Sequence, residues 1–442
     1  MSMFEDTVLS GGSHVRRLSN DLIQPSDLYS NRNVVIHPRH LKAPSEAQET
    51  AVEIELAKEH LDYDSSSMEG STSAESPPSS PPFPAASTTT DQFALAFDID
   101  GVLIKGGESI PGAVEAMKYI NGANPHGIKV PYIFVTNGGG KTEEERCLDL
   151  SKQLELDVSP GQFICGHTPM REMAEKYNTV LVVGGVGEKC RQVAEGYGFK
   201  DIVTPGDIIK TSADTTPFRK LTNEEYENSR ILDLDKLRIE AIFVFADSRD
   251  WAGDQQIILD VLMSKNGNLR ERSETLDKTP PVYFSHNDIV WATSHDHARI
   301  GMGALRASLE AMYKAVTGKE LHTVAFGKPQ LGTFQFATRL LRQWRKDTHG
   351  INKPPGTVYF VGDTPDSDIR GTNEFNEVSD SHWHSILVRT GVYQDRTNLR
   401  YPPKKICNDV FDAVKYAMER EIEKASRDAA QQAPLGDEVL LS

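Results

Sequence analysis

The chain is poor in cysteine. Four thiols in 442 residues, Cys147, Cys165, Cys190 and Cys407, stand far apart with no CxxC spacing. That pattern excludes a disulfide framework and a structural zinc site, and leaves reduced thiols. Long apolar runs are missing as well: no stretch approaches the roughly 18 to 20 residues that cross a bilayer. The start, MSMFEDTVLSGG, lacks the basic and apolar regions of a secretory signal, so an intracellular chain without an integral membrane segment is expected. Positive charge is in deficit, with 48 Lys and Arg against 64 Asp and Glu and a formal charge of −16. Without a basic patch of any length, such a chain repels nucleic acid. A small phosphorylated ligand stays compatible, because its site needs positive charge only locally.

What is present supports a real core. At 38% hydrophobic content over 442 residues, the length suits two to three domains of about 150 residues each. Residues 1–90 form the exception. From Ser65 on this segment is Ser, Thr and Pro with few large apolar groups, a composition that cannot offset the entropy of folding, and a disordered arm is expected there. The RRLS at Arg16 to Ser19 fits a basophilic kinase site by pattern, carried on a solvated segment.

From Phe93 strands and helices alternate: FALAFDID, PGAVEAMKYINGA, VPYIFVTN and EEERCLDLSKQLEL. Nearly continuous apolar strands between helices predict a parallel sheet covered on both faces. TVLVVGG, EAIFVFA and PVYFS, with helices at DQQIILDVLMSK and GALRASLEAMYKAV, read as a second α/β unit. The first pattern then resumes with HTVAFGKP, a helix from Gln330 to Trp344, TVYFVGD, SILVRTG and a helix from about Asp409 to Arg427. The reading is an α/β fold: a doubly wound parallel-sheet core, residues 91–164 and 324–427, interrupted by an α/β cap at 165–323, with a flexible tail at 428–442.

FALAFDIDGV, residues 93–102, ends an apolar strand on two carboxylates beside a glycine. An uncompensated buried carboxylate costs several kcal/mol, so the pattern asks for a cation, donors or a reaction. In open α/β sheets ligands bind beyond the carboxyl ends of the strands. Asp98 and Asp100, Thr136 and Asn137, Lys328, and Asp363 all fall at such ends. A carboxylate can attack phosphorus while a second acid protonates the leaving alkoxide and then activates water; Asp98 takes the first role and Asp100 the second. An anionic attack on an anionic phosphate needs charge relief. Asp363, with Asp98 and Asp100, is expected to hold Mg2+, and Lys328 to neutralise the phosphoryl oxygens. Thr136 and Asn137, with the backbone of Gly138, are expected to bind the phosphoryl group. Asp368 stands behind them as a support.

Order and spacing of these motifs resemble the haloacid dehalogenase superfamily: DIDGVL at 98–103, VTN at 135–137, GKP at 327–329 and GDTPDSD at 362–368. The large insertion between the second and third motifs, with TNGG and SHND, is similar to class IIA members. SHNDIVW through GMGALRASLEAMYKAVTGKEL resembles the eukaryotic cat-eye-syndrome critical region hydrolase-like subfamily, over about residues 91–425. The resemblance implies a mobile cap, magnesium dependence, and a phosphatase acting on a small phosphorylated metabolite through an aspartyl phosphate. It also implies homo-oligomer formation through the cap and a mitochondrial or cytoplasmic location. The alternative is a non-catalytic protein of this fold with a binding or scaffolding role, linked indirectly to glycerophospholipid metabolism.

Other motifs carry less. GGGKT at 138–142 lacks the leading glycine of a phosphate-binding loop, Val135 standing in its place, and GGVGEKC at 184–190 has Cys190 where a dinucleotide fingerprint needs glycine. The second is read as a tight strand-to-helix turn. His286, His295, Asp296 and His297 are metal-type ligands, but neighbours in HDH point apart in a strand and are assigned to surface or substrate contacts. Asn287, Asp288, Gly301 and Gly303 are candidates for substrate selection.

Overall fold

The computed structural model describes residues 88–395 and 399–432. These fall in one compact unit, Pro44–Ser442, while the other unit, Met1–Ala43, lies outside the described residues. The expected arm therefore also lies outside them, save residues 88–90, as does the tail beyond Gln432.

Two parallel sheets organise the chain. Their strands in chain order are β1 Phe93–Phe97, β2 Tyr132–Val135, β3 Phe163–Ile164, β4 Thr179–Val183, β5 Asp201–Val203, β6 Ala241–Val244, β7 Val282–Phe284, β8 Val324–Ala325, β9 Thr357–Gly362, β10 His382–Val388 and β11 Lys405–Cys407. The first sheet runs β11-β10-β9-β1-β2-β3 and the second β8-β7-β6-β4-β5. Every one of these pairings is parallel.

Alternation within β1 shows why the first sheet is doubly covered. All five residues of FALAF are buried. Phe93, Leu95 and Phe97 pack on one face with the helices Ala113–Ile120 and Val410–Gln432, and Ala94 and Ala96 pack on the other with Phe334, Ala337 and Leu341 of the helix Leu331–His349. A period of two with apolar residues in both phases suits a strand between two helical layers. The second sheet repeats the device: Leu181, Val183, Ile242 and Val244 face one cluster, and Val180, Val182, Phe243 and Phe245 face another.

Two boundaries differ from the sequence reading. HTVAF was expected to return to the first sheet at 324, but Val324 and Ala325 continue the parallel register beside Tyr283 and Phe284. Main-chain hydrogen bonding to β7 outweighs the pattern, and the chain crosses back after Ala325. The last helix runs to Gln432, five residues into the expected tail. The GGVGEKC turn is as read. Gly184, Gly185 and Gly187 have positive φ before the helix Lys189–Gly196, and a Cβ on Gly184 would run into the Ala246 carbonyl.

Phe243 tests the second core. It is fully buried with Phe199 and Tyr283 rings 5.0 Å away. Phe243→Ala should destabilise by about 3–5 kcal/mol through lost burial and an unfilled cavity. A thermal melt that does not shift would show that this sheet does not unfold cooperatively with the rest.

Candidate active site

In the first sheet β1 lies between β2, which follows it in the chain, and β9, which comes more than 250 residues later. Connections leave this point in opposite directions, which opens a crevice at the carboxyl ends of β1 and β9. Asp98 is the residue after β1, Asp363 the residue after β9. Val361 pairs with Phe97, and the Asp98 amide donates to the Val361 carbonyl at 2.9 Å, so register alone sets the two acids side by side.

Lys328 is the buried cation of this crevice. Only 1% of its side chain is exposed, and its Nζ lies 2.7 Å from Asp98 Oδ1 and 2.8 Å from Asp368 Oδ1. Burial pulls the ammonium pKa down, but Asp368 and Asp98 outweigh it and hold Lys328 above its ordinary range. Asp368 is saturated: its Oδ2 accepts the amides of Asp363 at 3.0 Å and Thr364 at 2.9 Å. It braces the loop and the lysine rather than facing the cavity.

Asp98 and Asp363 carry unspent charge. Desolvation raises Asp98 well above the usual carboxylate range despite Lys328, and pushes Asp363 up to about 7, with Asp368 adding repulsion. Asp363 is otherwise oriented by the Val392 amide, 2.6 Å from Oδ2, and by Thr364 Oγ1 at 3.2 Å. Ligand oxygens of Asp98, Asp363 and Asp368 lie within 4.8 Å of one another. With Asp368 spent on Lys328 and two amides, Asp98 and Asp363 remain as close hard oxygen donors facing the cavity and fit a divalent cation. Glycine is required here: Gly101, at φ +90°, would drive a Cβ into the Asp363 carboxylate.

Asp100 is half-buried at the wall of a cavity of about 220 Å3 that also takes in Asp98, Thr136, Gly138 and Asp363. Desolvation raises its pKa, and Arg146, 3.7 Å away, and Lys328 oppose the rise. Thr136 is buried, and its hydroxyl oxygen accepts the Gly138 amide at 3.0 Å, leaving its proton to donate. Asn137 has no such freedom. Its Oδ1 accepts the Lys328 amide at 2.7 Å, and its Nδ2 donates to the Lys328 carbonyl at 3.0 Å and to Asp288 Oδ2 at 2.9 Å. Asn137 was expected to bind phosphate; its side chain ties the lysine loop to the loop after β7.

The remaining sequence candidates separate. His286 is buried at the cavity wall, 3.6 Å from Asp288 Oδ2, while His295 and His297 are exposed at the tip of the ribbon Val290–Trp291 and Arg299–Ile300. Gly303 and Gly301 let the helix Met302–Thr317 approach the backbone of Asn287 and Asp288. All four cysteines are free and buried. A second group of metal-type ligands, Glu143, Cys165 and His167, went unnoticed in the sequence. Cys165 Sγ lies 3.5 and 3.4 Å from the two ring nitrogens of His167, hence over the ring face and out of line with either lone pair. His167 Nδ1 meets the Tyr197 hydroxyl at 2.7 Å, which donates to Glu143 at 2.6 Å. This is a hydrogen-bonded knot between the two sheets. Also unanticipated at the cavity are Arg146, Asp247, Arg249 and Trp291; single charges on a helix or loop carry no pattern that would mark them.

Fold and site together fit a hydrolase that works from a parallel-sheet switch point. Family models agree: residues 95–200 match the haloacid dehalogenase-like hydrolases and 325–413 a HAD-hydrolase-like model. A mitochondrial hydrolase of Saccharomyces cerevisiae is 40% identical over 355 residues, covering 75% of this chain and 97% of the relative. A cardiolipin synthase (CMP-forming)/mitochondrial hydrolase fusion protein of Schizosaccharomyces pombe is 36% identical over 348 residues, covering 78% of this chain and 56% of the fusion. An acid sugar phosphatase of Staphylococcus epidermidis is 26% identical over 111 residues, 24% of this chain and 40% of the relative. The chain belongs to the haloacid dehalogenase-like hydrolase family.

Proposed function

We propose that this hydrolase is a Mg2+-dependent phosphatase that removes phosphate from a small metabolite through a phosphorylated Asp98. The observation that carries the reading is the ion pair of Asp98 with buried Lys328, 2.7 Å apart, beside Asp363 at the switch point. Lys328 holds Asp98 Oδ1, which leaves Oδ2 to attack phosphorus. Asp98, Asp100 and Asp363 would hold the metal, whose charge offsets that of nucleophile and phosphate as they meet. Lys328 adds a fixed cation, and Thr136 donates its hydroxyl proton to a phosphoryl oxygen. Asp100 protonates the departing alkoxide and in the second half-reaction takes a proton from water as it attacks the phosphorus of the acyl phosphate; this returns Asp98 as a carboxylate and releases phosphate. The second sheet, residues 179–325, acts as a cap: its loops at Asp247, Arg249, His286 and Asp288 close the leaving-group side of the cavity.

The names of the two fungal relatives support a mitochondrial location, and the fusion supports an indirect link to glycerophospholipid metabolism. The test is hydrolysis of nitrophenyl phosphate. Chelation should abolish turnover and Mg2+ restore it, and the restored protein should melt higher, since an ion bound only by the folded state stabilises it. Full turnover in excess EDTA would reject the metal assignment.

A further inference from the structure

Arg146 is a cavity cation whose side chain has an ion pair but no hydrogen bond. It sits on the helix Glu143–Leu154, its side chain is 23% exposed, and it lines the cavity. Among the described residues its one ion-pair partner is Asp100, with Oδ1 at 3.7 Å, too far for a hydrogen bond. Nearby carboxylates are already taken. Glu143 accepts from Thr168 and Tyr197, Glu145 pairs with Lys189, and Asp149 pairs with Lys141. A guanidinium stays charged and offers five donors in a planar fork. Enclosing most of it with one ion pair and no hydrogen bond is costly, and a bound anion would offset that cost.

Position narrows the anion. Asp100 must reach the leaving oxygen at hydrogen-bond distance, about 2.6–3.2 Å, and Arg146 stands beside Asp100, whereas Lys328 is committed to Asp98 and Asp368. Arg146 therefore addresses atoms just beyond the leaving oxygen. Arg249 adds positive charge to the same cavity, while Asp288 is bound by Asn137 and Asp247 is the remaining acid of the cap wall.

We propose that the site prefers phosphate monoesters whose leaving alcohol carries an anionic group, a carboxylate or a second phosphoryl, within one or two carbons of the scissile oxygen, and that Arg146 binds that group. This rests on the phosphatase reading above. A cavity of about 220 Å3 suits such a compact ester.

Three two-carbon esters of similar size test it: phosphoglycolate (anionic), ethyl phosphate (neutral) and phosphoethanolamine (cationic), each with Mg2+, and nitrophenyl phosphate as reference. The wild-type protein should show kcat/KM in that order, with phosphoglycolate at least about 10-fold ahead of ethyl phosphate, as a charge-assisted pair implies. Arg146→Met should lower the phosphoglycolate-to-ethyl ratio by about 10- to 100-fold, and Arg146→Lys should keep part of it, because the charge survives without the fork. A flat or reversed order in the wild-type protein overturns the inference while nitrophenyl phosphate hydrolysis leaves the phosphatase reading standing, and so does an unchanged ratio in Arg146→Met. Release of phosphate from none of the four compounds overturns both.

Discussion

Asp98→Asn should abolish turnover by about four orders of magnitude or more while leaving the protein folded, because the amide keeps the size of the carboxylate but cannot form an acyl phosphate. The site makes the loss specific. Asp98 is the first residue beyond β1, and its Oδ1 is held by Lys328, so the substitution alters one contact of a fixed strand end. Lys328 keeps Asp368 at 2.8 Å as its partner, and the charge removed is one that desolvation disfavours, so stability should be little changed. Acid-quenched protein incubated with substrate should carry phosphate on the peptide 93–105 in the wild-type protein and none in the variant. Phosphate on another residue, or near-normal turnover of the variant, would sink the mechanism.

Lys328→Met should damage both fold and reaction. Methionine fills a similar volume, so packing is nearly kept, but Asp98 and Asp368 then face one another without the ammonium that now sits 2.7 and 2.8 Å from them. Breaking a buried pair by removing one partner costs about 3–5 kcal/mol, which a thermal melt should show as a large drop. Turnover should fall by at least about 10²-fold, since the fixed cation beside the phosphoryl group is gone. Adding Asp368→Asn to Lys328→Met separates the two losses: it removes one stranded charge and should recover much of the stability with no recovery of turnover. Recovery of turnover with stability would mean that Lys328 serves the fold alone.

Much of the site was legible because strand ends in a parallel sheet are written locally. Asp98 and Asp100 after FALAF, Asp363 after TVYFVG and Lys328 after HTVAFG each follow an apolar run, and the rule that ligands collect at such ends needs no contact information. The side chain of Asn137 could not be placed from sequence, for the converse reason. An asparagine beside a strand-end threonine looks like a ligand contact, and only the structure shows its side-chain amide spent on the Lys328 backbone and Asp288, 191 and 151 residues away in sequence. Arg146 could not be singled out among the charges of EEERCLDLSK, because exposed and cavity-facing arginines look alike until their neighbours are known.

By itself the sequence determined the alternation that makes both sheets parallel and doubly covered, and the four strand-end motifs to which the proposed chemistry is assigned. Both are encoded in the period and composition of short segments, where burial on two faces demands continuous apolar residues. Tertiary structure decided what depends on long-range pairing: that β8 joins the second sheet beside Tyr283 and Phe284, that Lys328 is shared by Asp98 and Asp368, and that Arg146 faces the cavity beside Asp100 without a hydrogen bond. A backbone segment takes whichever neighbour completes its hydrogen bonds, and a buried charge takes its state from groups that folding alone brings near.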